Sequence, residues 1–369
     1  MAFLSRNKPA QGRPEQQVPP SSAGAAPVEG VPLDEGAEAR QAAETRPAVP
    51  QQVEASRRAQ GSHPPPTAAP YPADPWQPYV VGVPGLVFEP RPPNGLSYRP
   101  DTVSDGWSTP FVHLRLASVR GYAHRYSGRP REDDAAAAWD PDTGTIVFAV
   151  ADGVSGAQQP HIGSQLACRS AVDELLAQTR RNEGRGVDWK LLLSTVHWQL
   201  IEQARRILKE PEAGVEASAD LLATTLVAGT AVPTDGGVIV TVVSVGDSGA
   251  WQIKYDQVQR LIGGKSPSGS GLVSSSVSPL PGVPTRISPM RFYLEPDSVF
   301  LVGTDGFGDP VGEGEGEVAR FFARELRSPV PPLGFAQLLD FSRETFDDDR
   351  TLIALWPNRN AYRAEARSW

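Results

Sequence analysis

One cysteine, Cys168, occurs in the 369 residues of this chain. A lone thiol excludes an intramolecular disulfide framework and any zinc site built on cysteines. Within SQLACRSAVDELL it falls at helical spacing and reads as a small buried apolar residue. Long apolar runs are absent too. None approaches the about 20 residues that a bilayer crossing needs, so no membrane span is expected. The opening MAFLSRNKPAQG turns polar at once and lacks the basic-plus-apolar pattern of a secretory leader, which favours a cytoplasmic location. Basic residues are in deficit: 35 Lys and Arg against 43 Asp and Glu leave a net charge of −8. That balance argues against a nucleic-acid partner.

Residues 1–78 differ in composition from the rest of the chain. They hold 15 of the 37 prolines, and residues 1–70 contain eight Val, Leu, Ile or Phe. So little apolar surface cannot offset the entropy of ordering the chain, and a disordered Pro/Ala-rich tail is expected. Two readings stand for it: a tether that docks an unknown partner, or a weakly constrained extension. Residues 79–110 carry the strand-like YVVGVPGLVF, but PRPPNG interrupts it, which suggests an irregular arm. Residues 111–357 have the pattern of a folded domain, and 358–369 read as a C-terminal tail.

Within the domain, FVHLRLASVRG alternates as a half-buried strand does, and TIVFAVAD is a continuous apolar run. HIGSQLACRSAVDELLAQTRR and DWKLLLSTVHWQLIEQARRILKE have helical periodicity and sufficient length. LLATTLVAGTAV, GGVIVTVVSVGD, GAWQIKYDQVQRL and SVFLVGTD read as strands. EVARFFARELRS and GFAQLLDFSRETF read as shorter helices, and RTLIALW as a closing strand. Strands and helices are segregated rather than alternating as βαβ units, so the fold class is α+β with antiparallel sheets. GGKSPSGSG resembles a phosphate-binding loop only superficially: Gln259 stands where that motif needs glycine, and no strand-loop-helix surrounds it.

Three acidic motifs adjoin apolar strands: Asp152-Gly153 after IVFAVA, Asp305-Gly306 after VFLVGT, and Asp347-Asp348-Asp349 before TLIALW. A carboxylate at the end of a buried strand is costly without compensation. Each Asp-Gly alone is also an ordinary turn. If the strand ends converge, several carboxylates share one cavity and require cations, and hard divalent ions suit oxygen donors. Arg129, before Asp133 and Asp134, is suited to gripping phosphate oxygens. A dimetal centre beside an arginine points to phosphate-ester hydrolysis.

The ordered set resembles the PP2C (PPM) family of metal-dependent Ser/Thr protein phosphatases, in a divergent bacterial form. The motifs are Arg129 with Asp133-Asp134, FAVADGVSGA, LLATTLVAG, SVGDSGAWQI, TDGFGDPVG and Asp348-Asp349-Arg350-Thr351, over residues 114–356. The resemblance implies a two-sheet β-sandwich flanked by helix pairs. It also implies two Mn2+ or Mg2+ ions held by Asp152, the Gly153 carbonyl, Asp305 and Asp348. Asp133 and Asp134 would hold waters bound to the metals, Arg129 the substrate phosphate, and Asp220 a third ion. A water activated between the metals would attack phosphorus in line, without a phospho-enzyme. The implied partners are phosphorylated Ser/Thr proteins, targets of kinases in signalling. The alternative is a pseudophosphatase that binds phosphoproteins without turnover.

The chain departs from the family pattern in places. Ser155 replaces a glycine, Val154 stands where animal members carry histidine, Arg350 replaces an apolar residue, and IGGKSPSG lacks the Asp-His segment of the flap. His124 reads either as a strand-edge histidine or as a neighbour of the phosphate site. Asp247, in Gly246-Asp247-Ser248, reads as a structural turn residue.

Overall fold

The computed structural model describes residues 75–92, 100–263 and 279–365. Most of the expected tail and the IGGKSPSG flap beyond Gly263 lie outside them. The strands are β1 Thr102–Ser108, β2 Val112–Val119, β3 Asp134–Trp139, β4 Ile146–Ala151, β5 Leu226–Thr234, β6 Gly237–Val245, β7 Gly249–Lys254, β8 Gln257–Ile262, β9 Met290–Leu294, β10 Val299–Gly303 and β11 Arg350–Pro357. The helices are α1 Tyr122–Ser127, α2 Pro160–Arg181, α3 Trp189–Leu208, α4 Val215–Leu222, α5 Asp305–Val311, α6 Glu317–Glu325, α7 Pro332–Leu339 and α8 Arg359–Glu365.

The strands form two antiparallel sheets, β1-β2-β11-β10-β7-β8 and β3-β4-β5-β6-β9. Their inner faces meet in a core that includes Leu114, Phe148, Val240, Phe300 and Ile353. The outer face of the first sheet packs on α5, α6 and α7 through Leu301, Phe307, Phe322 and Phe335. The outer face of the second packs on α2, α3 and α4 through Val147, Ala171, Leu193 and Leu222. Strands buried on both faces read as unbroken apolar runs, which is why β4, β10 and β11 are nearly all hydrophobic. The expected α+β sandwich flanked by helices is the observed fold.

Local differences have physical causes. Thr102–Ser108, within the expected arm, pairs with β2 along its whole length. GAWQIKYDQVQRL is a hairpin rather than one strand, turning at Tyr255 and Asp256 with φ of 51° and 63°. Part of the expected C-terminal tail forms α8, whose Tyr362 is buried against the inter-sheet core. Cys168 is fully buried beneath the second sheet. No helix among the described residues is long and apolar enough to cross a membrane.

One end of the sandwich gathers the chemistry. There β4 is followed by Asp152, β3 begins at Asp134, β6 turns into β7 through Asp247, β10 gives way to Asp305, and β11 follows Asp349.

Candidate metal centre

Asp152 is fixed through its backbone. Its N–H donates to Thr225 Oγ1 at 3.0 Å, and its carbonyl accepts from Thr225 N at 2.7 Å and Thr224 Oγ1 at 2.9 Å. The two threonines of LLATTLVAG therefore clamp the strand end. Thr225 Oγ1 also lies 2.7 Å from Ser248 Oγ, which ties the turn holding Asp247 to the same clamp. Gly246 enters that turn with a φ of 93°, open to glycine but strained for other residues. Carboxylate oxygens of Asp152, Asp247 and Asp305 lie within 4.8 Å of one another.

A second group joins this one. Asp133 is buried, and its Oδ2 accepts from Thr304 Oγ1 at 2.7 Å. Burial, with the charges of Asp349, Asp348 and Asp305, holds the Asp133 carboxyl well above the usual carboxylate range. Asp152 is pushed well up in the same way, by burial and then by Asp133, Asp305 and Asp348. Asp348 lies exposed at the rim; the protein around it and the charges of Asp349 and Asp305 raise it too. The raised carboxyls of Asp133, Asp152 and Asp348 are what strand ends that bring several carboxylates together produce.

Asp349, next to the rim, is buried and bound on all sides. It accepts from the backbone N–H of Gly121, at 2.6 Å, and of Glu132, and Oδ1 lies 2.9 Å from His124 Nδ1. His124 is buried on α1 rather than on a strand edge, and with Asp348 and Asp349 it forms a second trio within 4.8 Å. Burial opposes its protonation, but the nearby carboxylate of Asp349, with the charges of Glu132 and Asp348, prevails and the pKa rises.

Arg129 is 41% exposed at the same end. Its Nη2 lies 2.7 Å from Glu132 Oε1 and donates to the Ser155 carbonyl at 3.1 Å. Glu132 is buried, and burial raises its pKa. Its Oε2 lies 3.9 Å from His124 Nε2. A chain of contacts thus runs Arg129–Glu132–His124–Asp349 beside the acidic group.

The remaining site residues sort by position. Asp134 is buried at the first position of β3, opposite Ala151, outside both carboxylate trios. Gly153 packs so closely that a Cβ would lie 2.7 Å from the Pro160 backbone. Asp220 is exposed on α4, outside both trios, and its carbonyl accepts from Gln158 N. Asp247 sits in the β6–β7 turn, as the sequence presents it, and its carboxylate also lies within 4.8 Å of those of Asp152 and Asp305. Arg350 is buried, donates to the carbonyls of Leu339, Phe341 and Phe346, and stacks 3.9 Å from the Phe341 ring centroid. It braces the segment leading to Asp348.

The donor set fits hard divalent cations. Oxygen ligands at about 2.1 Å from Mg2+ lie at most about 4.2 Å apart, so small side-chain adjustments bring the Asp152–Asp247–Asp305 trio onto one ion. The raised carboxyls of Asp133 and Asp152 mark a concentration of negative charge that a cation relieves.

Residues 120–340 match the family model described as protein phosphatase 2C. No curated protein sequence gives a significant match. Among solved structures, RsbX in complex with magnesium is 12% identical, covering 69% of this chain and 100% of its own, with a TM-score of 0.43. The catalytic domain of the serine/threonine protein phosphatase PstP in complex with 2 manganese ions is 17% identical, covering 67% and 98%, with a TM-score of 0.45. PppA of Pseudomonas aeruginosa is 16% identical, covering 71% and 98%, with a TM-score of 0.41.

Proposed function

The chain belongs to the protein phosphatase 2C family, and from that premise we propose that it hydrolyses phosphoserine and phosphothreonine in proteins with the help of two Mn2+ or Mg2+ ions. The observation that supports this most is the grouping of the Asp152, Asp247 and Asp305 carboxylates within 4.8 Å of one another at one end of the sandwich, with Asp348 in a second such group. The proposed ligands are Asp152, the Gly153 carbonyl, Asp305 and Asp348. Asp247 replaces Asp220 as the further ligand, because it reaches Asp152 and Asp305.

When bound, such ions polarise phosphoryl oxygens and lower the pKa of water. The chain's own residues do the rest. Arg129 offers its part-exposed guanidinium to the phosphate, which competes for it with Glu132 and the Ser155 carbonyl. Asp133, fixed by Thr304, and Asp134 would accept hydrogen bonds from water bound to the metals. Thr224 and Thr225 hold Asp152 in place and limit reorganisation during turnover. The implied substrates are proteins phosphorylated by Ser/Thr kinases.

A second reading, phosphoprotein binding without turnover, draws on one observation: Arg129 is already engaged by a buried carboxyl. Phosphate release from a phosphopeptide pool by the full-length protein separates the two. Release that needs Mn2+, stops with EDTA and returns with fresh Mn2+ supports hydrolysis. Calorimetric binding of two metal ions with no release from any peptide supports the second reading and overturns the first.

A further inference from the structure

Residues 75–92 lie against the structure that presents Asp348. Val81 N donates to the Ser342 carbonyl at 3.2 Å, Ser342 N to the Tyr79 carbonyl at 2.7 Å, and Glu344 N to the Val83 carbonyl at 2.7 Å. Gly85 N donates to Ser342 Oγ at 2.9 Å. Val80 and Ser342 thereby form an isolated parallel bridge, so the arm pairs with the segment running into Asp347-Asp348-Asp349. Val81 is buried in the core under the first sheet, and the Tyr79 ring lies 5.4 Å from that of Phe321.

The same arm then reaches α1. Phe88 meets Tyr122 and Tyr126 edge-on, with centroids at 6.2 and 5.4 Å. Arg91 places its guanidinium 4.9 Å from the Tyr126 centroid. Its N–H donates to the Arg125 carbonyl at 2.9 Å, and its own carbonyl accepts from Arg120 Nη2 at 3.1 Å. Helix α1 in turn grips the acidic segment. Ala123 N donates to the Asp347 carbonyl at 2.9 Å, Gly121 N to Asp349 Oδ1, and His124 sits on Asp349. The arm therefore holds both flanks of Asp347-Asp348-Asp349: residues 342–344 at one end and α1 at the other.

We propose that residues 79–91 form a positioning strap for the metal centre. Phe88 is its key side chain, and the strap acts through α1 and residues 342–349 to set the geometry of Asp348. This rests on the reading of Asp348 as a metal ligand. Groups that orient ligands typically change metal affinity about 10- to 100-fold when removed.

The test uses the full-length protein and its Phe88→Ala, Phe88→Tyr, Arg91→Ala and Leu86→Ala variants. Leu86 is 84% exposed and serves as the control. Mn2+ affinity is read by calorimetry, and hydrogen exchange at 121–127 and 342–349 is read in metal-free protein. The expected result for Phe88→Ala is roughly 10-fold weaker Mn2+ binding. Faster exchange at both segments should accompany it, with little change in kcat at saturating Mn2+. Arg91→Ala should show the same in lesser degree, Phe88→Tyr should restore both readouts, and Leu86→Ala should match the parent. Unchanged affinity and exchange in Phe88→Ala and Arg91→Ala overturn the strap. So does a fall in melting temperature in both variants with Mn2+ affinity retained, since that marks a merely structural arm. If the parent itself binds no Mn2+, the metal reading fails, and the exchange data alone judge the strap.

Discussion

Arg129 Nη2 lies 2.7 Å from Glu132 Oε1, three positions along the same loop. The cation offered to a phosphate is thus already matched by a carboxylate, and substrate must compete with it. Glu132 is buried while Arg129 is half exposed, so the carboxylate is the fixed partner and the guanidinium the movable one. Glu132→Gln should lower KM for phosphopeptide and strengthen inhibition by inorganic phosphate by roughly 3- to 10-fold, the scale of one partly exposed charge-assisted hydrogen bond. Steady-state kinetics with phosphate as inhibitor measure this. A raised KM would show that Glu132 orients Arg129 more than it competes.

Asp247 gives the next test. Its carboxylate shares a 4.8 Å neighbourhood with Asp152 and Asp305, whereas Asp220 has no such neighbours among the described residues. Asp247→Asn should weaken Mn2+ binding at one site by calorimetry, and Asp220→Asn should not. Asp152→Asn should cost about 100-fold or more in phosphate release, since metal activation contributes several kcal/mol to the barrier. Equal effects of Asp220→Asn and Asp247→Asn would remove the basis for preferring Asp247.

The contrast between Asp152 and Asp247 shows what the sequence makes legible. Asp152 and Asp305 each follow an unbroken apolar strand, so their placement at a buried strand end is readable from local pattern. Gly246-Asp247-Ser248 looks like any turn. Its approach to Asp305 depends on β7 pairing with β10, where Gly249 faces Gly303, a long-range register with no local signature. The run Ala135–Ala138 has a helix-favouring composition, yet it is held in β3 by pairing with β4. Tyr255 and Asp256 turn the β7–β8 hairpin without the glycine that would announce it. Helix α7 stops at Leu339, short of the expected span. Arg125 there takes the Asp340 carboxylate at 2.7 Å, and Arg350 takes the carbonyls of Leu339 and Phe341.

Metal-free protein should lose stability as pH rises. Burial and mutual repulsion raise the carboxyls of Asp133, Asp152 and Asp348, so above the ordinary carboxylate pKa of about 4 the native state binds more protons than the unfolded state. Stability therefore falls with pH through that window and on through the raised values. His124, also raised, adds in the same direction: its contribution is complete below its ordinary value and is lost above its folded one. Saturating Mn2+ favours the ionised carboxylates and should flatten or reverse the slope. Melting temperatures at about pH 5 and about pH 8, with EDTA and with Mn2+, check this across the range where the raised groups ionise. A metal-free protein more stable at the higher pH would contradict it.

Arg350 stands where an apolar residue is usual, and its burial lowers its pKa to about 10. Three carbonyls converge on its guanidinium, and Phe341 covers one face. Arg350→Met leaves those carbonyls without their donor and should cost about 3 kcal/mol or more by urea denaturation. Arg350→Lys should recover little, because one ammonium cannot reproduce a planar fork aimed at three acceptors. Full stability in Arg350→Lys would mean that charge alone suffices.

Gly306 decides between two explanations of the Asp-Gly motifs. Close approach of a backbone carbonyl to an ion is one reason for a glycine after a ligand. The structure shows another at this position: a Cβ on Gly306 would lie 1.9 Å from the Asp349 carbonyl oxygen, a backbone atom with no freedom to yield. The absence of a side chain lets the first turn of α5 lie flush against the backbone of Asp349, next to Asp348, so that Asp305 and Asp348 stand at the same end of the sandwich. Gly306→Ala should therefore push α5 away from that segment, at about 1–3 kcal/mol of stability or more. Mn2+ affinity should fall with it, although every carboxylate is retained. Gly156→Ala is the matched control, since nothing lies within 4 Å of its added Cβ. Denaturation and calorimetry on both variants separate the explanations, because a Gly306→Ala protein with normal stability and normal Mn2+ binding would show that close packing here is not what brings the two aspartates together.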